Sequence, residues 1–356
     1  MNDAVDQQHY KTFSFRVKDA TSGKRLVALG NAVNTVWNHC NAAQRHAVDR
    51  NQRWPSNADL FASTRGAGKL IGLPSQVVQA VCKEYTVKRK AAHKSRLRWR
   101  VSRGPKRSLG WVPFTNQDIK TTKRGVVELR GQAFRIWQHR DIAGRVKSGN
   151  FSQDARGRWY CNLVCEIEPG DRTNRTKIVG IDLGFKTVAT AHNAPDLEQA
   201  TFFRDLEPKL AEAQRKGRKR QARSIHAKIA NRRKDALHKY SRSVVDDAGA
   251  VFVGNISSTW QIKSGKGKAT LDVSWSMLRN LLQYKCDHAG VAFAEVDEKY
   301  TTQACSDCGT IGGPKGAEGL GIRQWVCSCG SVHDRDLNAA VNIARLGCET
   351  LGLKWP

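Results

Sequence analysis

Four cysteines stand in two close pairs near the end of the chain, "CSDCG" at 305–309 and "CSCG" at 327–330. The spacing is C-x2-C, eighteen residues, then C-x-C, with a glycine after each pair. Paired thiolates on two tight turns are what a tetrahedral Zn(II) ion requires, so Cys305, Cys308, Cys327 and Cys329 are the expected ligands. The second pair is one residue shorter than the usual C-x2-C, which leaves His333 as a substitute for Cys327 or Cys329. Four protein ligands leave zinc no open position, so the expected role is structural. The other six cysteines, 40, 82, 161, 165, 286 and 348, lie in apolar contexts and are expected as core thiols.

Two aspartates form a second candidate site. "VGIDLGFKT" sets Asp182 in an apolar strand pattern, where a charge is costly unless it is paired or holds a metal. "HDRDLNAAVNI" sets Asp336 at a helix start, with Ala339, Ala340 and Ile343 on a face that can pack on a sheet. The plain alternative for Asp336 is a helix cap.

The elements that must position these residues fall in two halves. "YKTFSFRV" at 10–17 alternates like a half-buried strand. A helical pattern then runs from about Lys24 to Arg100, followed by short strand-like runs, "SLGWVPF", "GVVELR", "AFRIWQ" and "RWYCNLVCEIE". The first strand and the later ones are expected to close one β unit with the helices inserted. Trp99, Trp111, Trp137 and Trp159 are expected in its core, with base stacking as the alternative. The polar linker "EPGDRTNRT", 168–176, is the expected boundary. Beyond it the order reads strand, strand, basic insertion, strand, helix, strand, cysteine cluster, helix.

Charge points to the partner. Sixty Lys and Arg against thirty-two Asp and Glu give a net charge of +28, so a polyanion is expected. Residues 209–242 alone hold thirteen Lys and Arg against Glu212 and Asp235. That density of one sign predicts phosphate contact, with Arg218, Lys219, Arg220, Arg232 and Arg233 as the candidate contacts. No apolar run is long enough to span a membrane, and the N-terminus lacks the build of a signal peptide. A cytoplasmic, nucleoid-associated protein is expected.

With these motifs in hand, residues 179–187, "YTTQACSDCG" at 300–309 and "HDRDLNAAVNI" at 333–343 resemble the TnpB family, insertion-sequence proteins related to compact type V CRISPR effectors. The resemblance implies an α/β plus β fold. Its parts would be an N-terminal wedge-like β-barrel (1–22 and 102–170), a helical recognition lobe (23–101), an RNase H-like RuvC nuclease domain (176–301 and 333–350) and an inserted zinc ribbon (302–332). It further implies a guide RNA, a DNA target, and two aspartates plus a glutamate around Mg(II). Asp182 and Asp336 match the aspartates. Where the glutamate would end the strand at 250–253, this chain has Gly254.

A two-metal site clamps the attacking and leaving oxygens of a phosphodiester, so a lost carboxylate matters. The strand "VAFAEV", 291–296, follows a helix and should lie parallel beside the Gly254 strand, about 4.8 Å away. Glu298, just beyond its carboxyl end, is therefore expected to supply the missing acid, ahead of Glu295 and Asp297. The expectation is an RNA-guided DNA endonuclease with Asp182, Glu298 and Asp336 as magnesium ligands. One alternative is a nuclease-dead RNA-guided repressor; a second is a basic zinc-ribbon protein that binds nucleic acid without a guide.

Overall fold

The computed structural model describes residues 9–170, 175–184, 187–198, 200–255, 274–315 and 318–356. It divides into two compact units, Met1–Ile167 and Glu168–Pro356. The linker reading of 168–176 falls partly on 171–174, outside the described residues.

The first unit is built on β1 (His9–Arg16), β2 (Trp111–Thr115), β6 (Arg145–Gln153) and β7 (Trp159–Ile167), an antiparallel sheet in the order β1-β7-β6-β2. A three-stranded meander, β3 (Ile119–Lys123), β4 (Val126–Leu129) and β5 (Gln132–Arg135), joins it at an isolated bridge between Val17 and Ile136. The helices α1 (Ala20–Asp49), α2 (Asn57–Ser63), α3 (Ala67–Ile71) and α4 (Ser75–Ala91) lie between the first strand and the rest. Alternation sends Phe13, Phe15, Phe151, Cys161, Leu163 and Cys165 into one core with Leu26, Val33, Val81 and Tyr85 from the helices. Trp159 is buried there, but Trp99 and Trp137 are about half exposed, at 49% and 54%, which corrects their expected core placement. The helical pattern is also corrected. It stops at Ala91, where Ala92 caps the helix and His93 turns to φ 47°, and residues 92–110 run without regular structure.

The second unit holds a five-stranded sheet, β10-β9-β8-β11-β12. Its strands are β8 (Lys177–Leu183), β9 (Thr187–His192), β10 (Leu197–Glu198), β11 (Ala248–Gly254) and β12 (Ala292–Val296). β8, β11 and β12 are parallel, while β9 and β10 are antiparallel. The expected neighbour of the Gly254 strand is in place, with Gly254 opposite Val296.

Alternation along the strands sorts two layers. Val179, Ile181, Val251 and Val253 face α6 (Lys219–Asp247) and α7 (Trp275–Ala289) through Leu237, Val244, Leu278 and Leu282. The other face carries Gly180, Asp182, Ala250 and Phe252 and is covered by the last helix, α8 (Arg335–Leu351), through Ile343 and Cys348. The fit is tight: a Cβ on Gly180 would meet the Ala340 carbonyl at 2.0 Å, and one on Gly347 would meet the Phe252 ring at 2.0 Å. Only small residues let this helix sit so low on the sheet. The basic stretch 209–242 is helical, in two pieces. Gly217, at φ 63°, separates α5 (Glu207–Arg215) from α6. The small strands β13 (Gln324–Val326) and β14 (Val332–Asp334) pair on either side of the second cysteine turn, and β14 leads directly into α8. No described helix is long and apolar enough to cross a membrane.

Candidate active site and metal centre

The two cysteine turns are built alike. Gly309 donates to the Cys305 carbonyl and Gly330 to the Cys327 carbonyl, both at 2.9 Å, with φ of 77° and 92°. The shorter pair simply closes one residue earlier, and a glycine is needed in each because the chain enters the left-handed region. All four thiol sulfurs lie within 4.8 Å of one another. Cys305 to Cys329 is 3.8 Å and Cys308 to Cys327 is 3.6 Å. A tetrahedron with metal–sulfur bonds of about 2.3 Å has edges of about 3.8 Å, so the thiols fit a metal of zinc's size and preference. Hydrogen bonds from Thr310 pull the Cys308 thiol down to about 6, toward the thiolate a metal needs. His333 is buried, its ring 4.8 Å from that of Trp325 and tilted by 39° to it, with Nε2 3.0 Å from the Cys305 sulfur. That position lets its ring N–H steady the thiolate while all four cysteines remain available as ligands.

The carboxylate cluster is assembled from three distant elements. Asp182 is two residues beyond Gly180 on the face under α8. Ala340 lies over Gly180, and Asp336 is one helical turn before Ala340. Two strand residues advance about 6.6 Å and one turn about 5.4 Å, so the helix, running against β8, delivers Asp336 to Asp182. Capping does not consume it: Asp334 is the cap, accepting from the Asp336 and Leu337 amides at 3.1 and 3.0 Å. The Asp336 carboxylate instead meets the Arg323 guanidinium.

Glu298 completes the group. A Cβ built on Gly254 would lie 2.6 Å from Glu298 Oε2, 3.4 Å from Glu298 Cβ and 3.3 Å from Ile343 Cδ1. The Glu298 side chain thus reaches over the end of β11 and occupies the room a residue-254 side chain would take. Gly254 has no left-handed backbone, so its glycine serves space alone. The Oε2 atom is buried without a hydrogen-bond partner among the described residues. Burial, then the Glu298 and Asp336 charges, push the Asp182 carboxyl up to about 7, against the pull of Arg335. Burial, then Asp297, push Glu298 up to about 7 as well, against Arg279. Two neighbouring acids that burial, before any charge, keeps from ionising, one of them with an orphaned oxygen, and a third acid beside Asp182, fit a cation better than they fit each other. The carboxylates are more open than the thiols: among the described residues, only cysteine-containing groups close to 4.8 Å. A pair of Mg(II) ions about 3.5–4 Å apart tolerates that spread.

The other two rivals diverge. Glu295 pairs with Arg279 at 3.4 Å, and Asp297 is exposed, accepting from the Lys299 amide at 3.1 Å. The turn carrying Glu298 is fixed to α8: Asn338 and Asn342 both donate to the Thr301 and Ala304 carbonyls, while Asn338 accepts from the Ser306 amide. One helix therefore positions Asp336, the Glu298 turn and the first cysteine turn. Sequence reasoning missed this clamp, though two asparagines four apart on a packing helix were its visible signal. It also missed Arg323 and Arg335. The candidate phosphate contacts Arg218, Lys219 and Arg220 are exposed around an open hollow of about 600 Å³ at the start of α6, with Arg232 exposed and Arg233 half-buried further along it.

Fold and sites together define a mixed α/β protein with a four-thiol cluster and a three-carboxylate cluster. Two family descriptions match its second half, "Probable transposase" over residues 162–259 and "Cas12f1-like, TNB domain" over 275–343. A "Putative RNA-guided DNA endonuclease" of Streptomyces pristinaespiralis is 36% identical over 213 residues, covering 55% of this chain and 52% of the relative. The "CRISPR-associated endodeoxyribonuclease Cas12f1" of Sulfoacidibacillus thermotolerans is 29% identical, covering 57% and 56%, and "Putative RNA-guided DNA endonuclease InsQ" of Escherichia coli K12 is 28% identical, covering 48% and 49%. The matched region spans about half the length of these relatives. A solved structure, "Cryo-EM structure of the Cas12f1-sgRNA-target DNA complex", shares the fold at a TM-score of 0.63 and 12% identity, covering 95% of this chain and 99% of that one. The chain is thus similar to the TnpB family, as its motifs imply.

Proposed function

We propose that this chain is an RNA-guided DNA endonuclease of the TnpB kind, associated with an insertion sequence. Its second unit would be an RNase H-like RuvC domain with an inserted zinc ribbon, and its first unit a wedge-like barrel bearing a helical lobe. Asp182, Glu298 and Asp336 would hold Mg(II), and Cys305, Cys308, Cys327 and Cys329 would hold a structural Zn(II). When bound, magnesium stabilises charge on the scissile phosphate and lowers the pKa of an attacking water. The chain's own contribution is to fix three carboxylates at one strand-end and helix-start, and to clamp their turn. Arg218, Lys219, Arg220, Arg232 and Arg233 would meet backbone phosphates.

The observation that carries this reading is the Glu298 carboxylate standing in the space beside Gly254, close enough to raise the Asp182 carboxyl. A binding-only protein rested on that glycine, and a carboxylate in its place supports cleavage instead. The test is to purify the protein with its co-expressed RNA and incubate it with a plasmid library and Mg(II). Cleavage beside a common short flanking motif is expected; RNA-dependent binding without cleavage, or no bound RNA, contradicts the proposal.

A further inference from the structure

Residues 94–107, "KSRLRWRVSRGPKR", contain seven Lys and Arg and no acid. Residues 97–102 of this stretch form a strap that runs along α1 without regular structure and is held there by a ladder of asparagines. Asn34, Asn38 and Asn41 recur on one face of that helix. Asn41 donates to the Leu97 carbonyl at 2.9 Å. Asn38 donates to the Arg100 carbonyl and accepts from the Arg100 amide, both at 2.8 Å. Asn34 donates to Ser102 Oγ at 3.1 Å, and Trp37 Nε1 donates to the Arg98 carbonyl at 3.2 Å. The strap therefore runs antiparallel to α1, pinned at four of its residues. Beyond it the chain closes a loop through reciprocal bonds between Val101 and Ser108, at 3.0 and 2.8 Å.

This clasp sorts the strap into two sides. Leu97 packs on the core, and the Arg100 guanidinium turns inward to Asn34 and the Leu109 carbonyl. Arg96 is neutralised by Asp49. Arg98, Trp99, Arg103 and Lys106 face solvent, and among the described residues none of their side chains has a hydrogen-bond, ion-pair or ring partner. An indole left 49% exposed on a pinned backbone, next in sequence to the unpaired Arg98, has already met the backbone part of the ordering cost that a stacking contact demands.

We infer that this strap is a binding surface for an unpaired segment of RNA, with one base stacked on Trp99 and the flanking phosphates on Arg98 and Arg103. The inference rests on the proposed function, whose guide RNA it addresses. The cations select a polyanion. A single exposed aromatic plane selects an unstacked base, which loops and ends of folded RNA present freely and duplex DNA presents only after unstacking costs.

The test measures anisotropy of a fluorescein-labelled, mixed-sequence single-stranded RNA, the same single-stranded DNA, and duplex DNA, with the full chain freed of nucleic acid at high salt. Trp99→Ala should weaken RNA binding roughly tenfold while leaving the salt slope unchanged, because stacking releases no counterions. Trp99→Phe should restore most of the affinity. Arg98→Ala with Arg103→Ala should flatten the slope. Asn38→Ala, which frees the strap, should weaken RNA binding without altering the slope. Duplex DNA binding should change less than about twofold in Trp99→Ala. RNA affinity unchanged in Trp99→Ala overturns the inference alone, as does a larger loss on either DNA than on RNA. A wild type that binds no RNA overturns it together with the proposed function.

Discussion

The thiol cluster and the carboxylate cluster are both fitted for cations and share one helix as their support, yet they are built in opposite ways. The thiols come in two local turns, each closed by its own backbone hydrogen bond and glycine, so each half-site is complete within a few residues. The carboxylates come from a strand, a turn after another strand and a helix start, and no two of them share an element. A local site tolerates a shortened pair because the turn absorbs the missing residue. A dispersed site tolerates a missing acid only if another backbone can deliver one to the same place, and the Glu298 carboxylate, beside Gly254 at the end of the neighbouring strand, is placed to do so.

The largest expected effect is on the dispersed site. Asp182→Ala should reduce cleavage by roughly a thousandfold or more, because ligands of one centre act as a unit. RNA binding should persist, and cleavage within about tenfold of wild type would break the assignment. For the local site, freshly purified, reduced protein should carry about one zinc per chain. Cys305→Ser should lose the metal and destabilise the second unit by several kcal/mol. His333→Ala should keep the zinc at lower affinity, roughly ten- to a hundredfold, since the thiols suffice as ligands. Loss of stoichiometric zinc in that variant would make the histidine a ligand in place of a thiol.

The pH dependence separates the clusters further. Asp182 and Glu298 titrate near 7 when folded and in the ordinary carboxylate range, about 4, when unfolded. Between those values the folded chain binds protons that the unfolded chain has lost, so magnesium-free stability falls as pH rises from about 4 to about 7. Asp182→Asn should escape part of that fall, and its melting temperature should gain on wild type steadily from pH 5 to 7.5. A constant difference would mean that folding does not raise the Asp182 carboxyl, by burial or by its neighbours. The smallest effect concerns the basic hollow: replacing Arg218, Lys219 and Arg220 with alanine should lower the salt slope of nucleic-acid binding by about two to three units, uniformly across sequences. An unchanged slope would leave those residues as solvated surface.

Legibility followed the same division. The cysteine turns were plain because ligand spacing is local. Asp182 was plain because a charge in an apolar strand is expensive. Glu298 could be reached only through strand adjacency, and the reason that position 254 is glycine, the room taken by that side chain, belongs to tertiary structure. Arg323, Arg335 and the Asn338–Asn342 clamp were invisible for the same reason. The asparagine-held strap was misread as helix because Lys, Arg and Ala favour one locally, whereas Asn38, which binds Arg100 into a course without regular structure, is 62 residues away. Trp99 was placed in the core by residue type, but that strap turns it outward.

The most direct test of the account is whether the acid has moved. With guide RNA bound and Mg(II) present, plasmid cleavage should be compared for wild type, Glu298→Ala, Asp297→Ala and Glu298→Ala with Gly254→Glu. Glu298→Ala is expected to stop cleavage as fully as Asp182→Ala while target binding survives, and Asp297→Ala to stay within a few-fold of wild type. The double variant is expected to regain activity, because removing the Glu298 carboxylate opens the space beside position 254. Cleavage by Glu298→Ala at the wild-type rate would contradict the relocation of the acid.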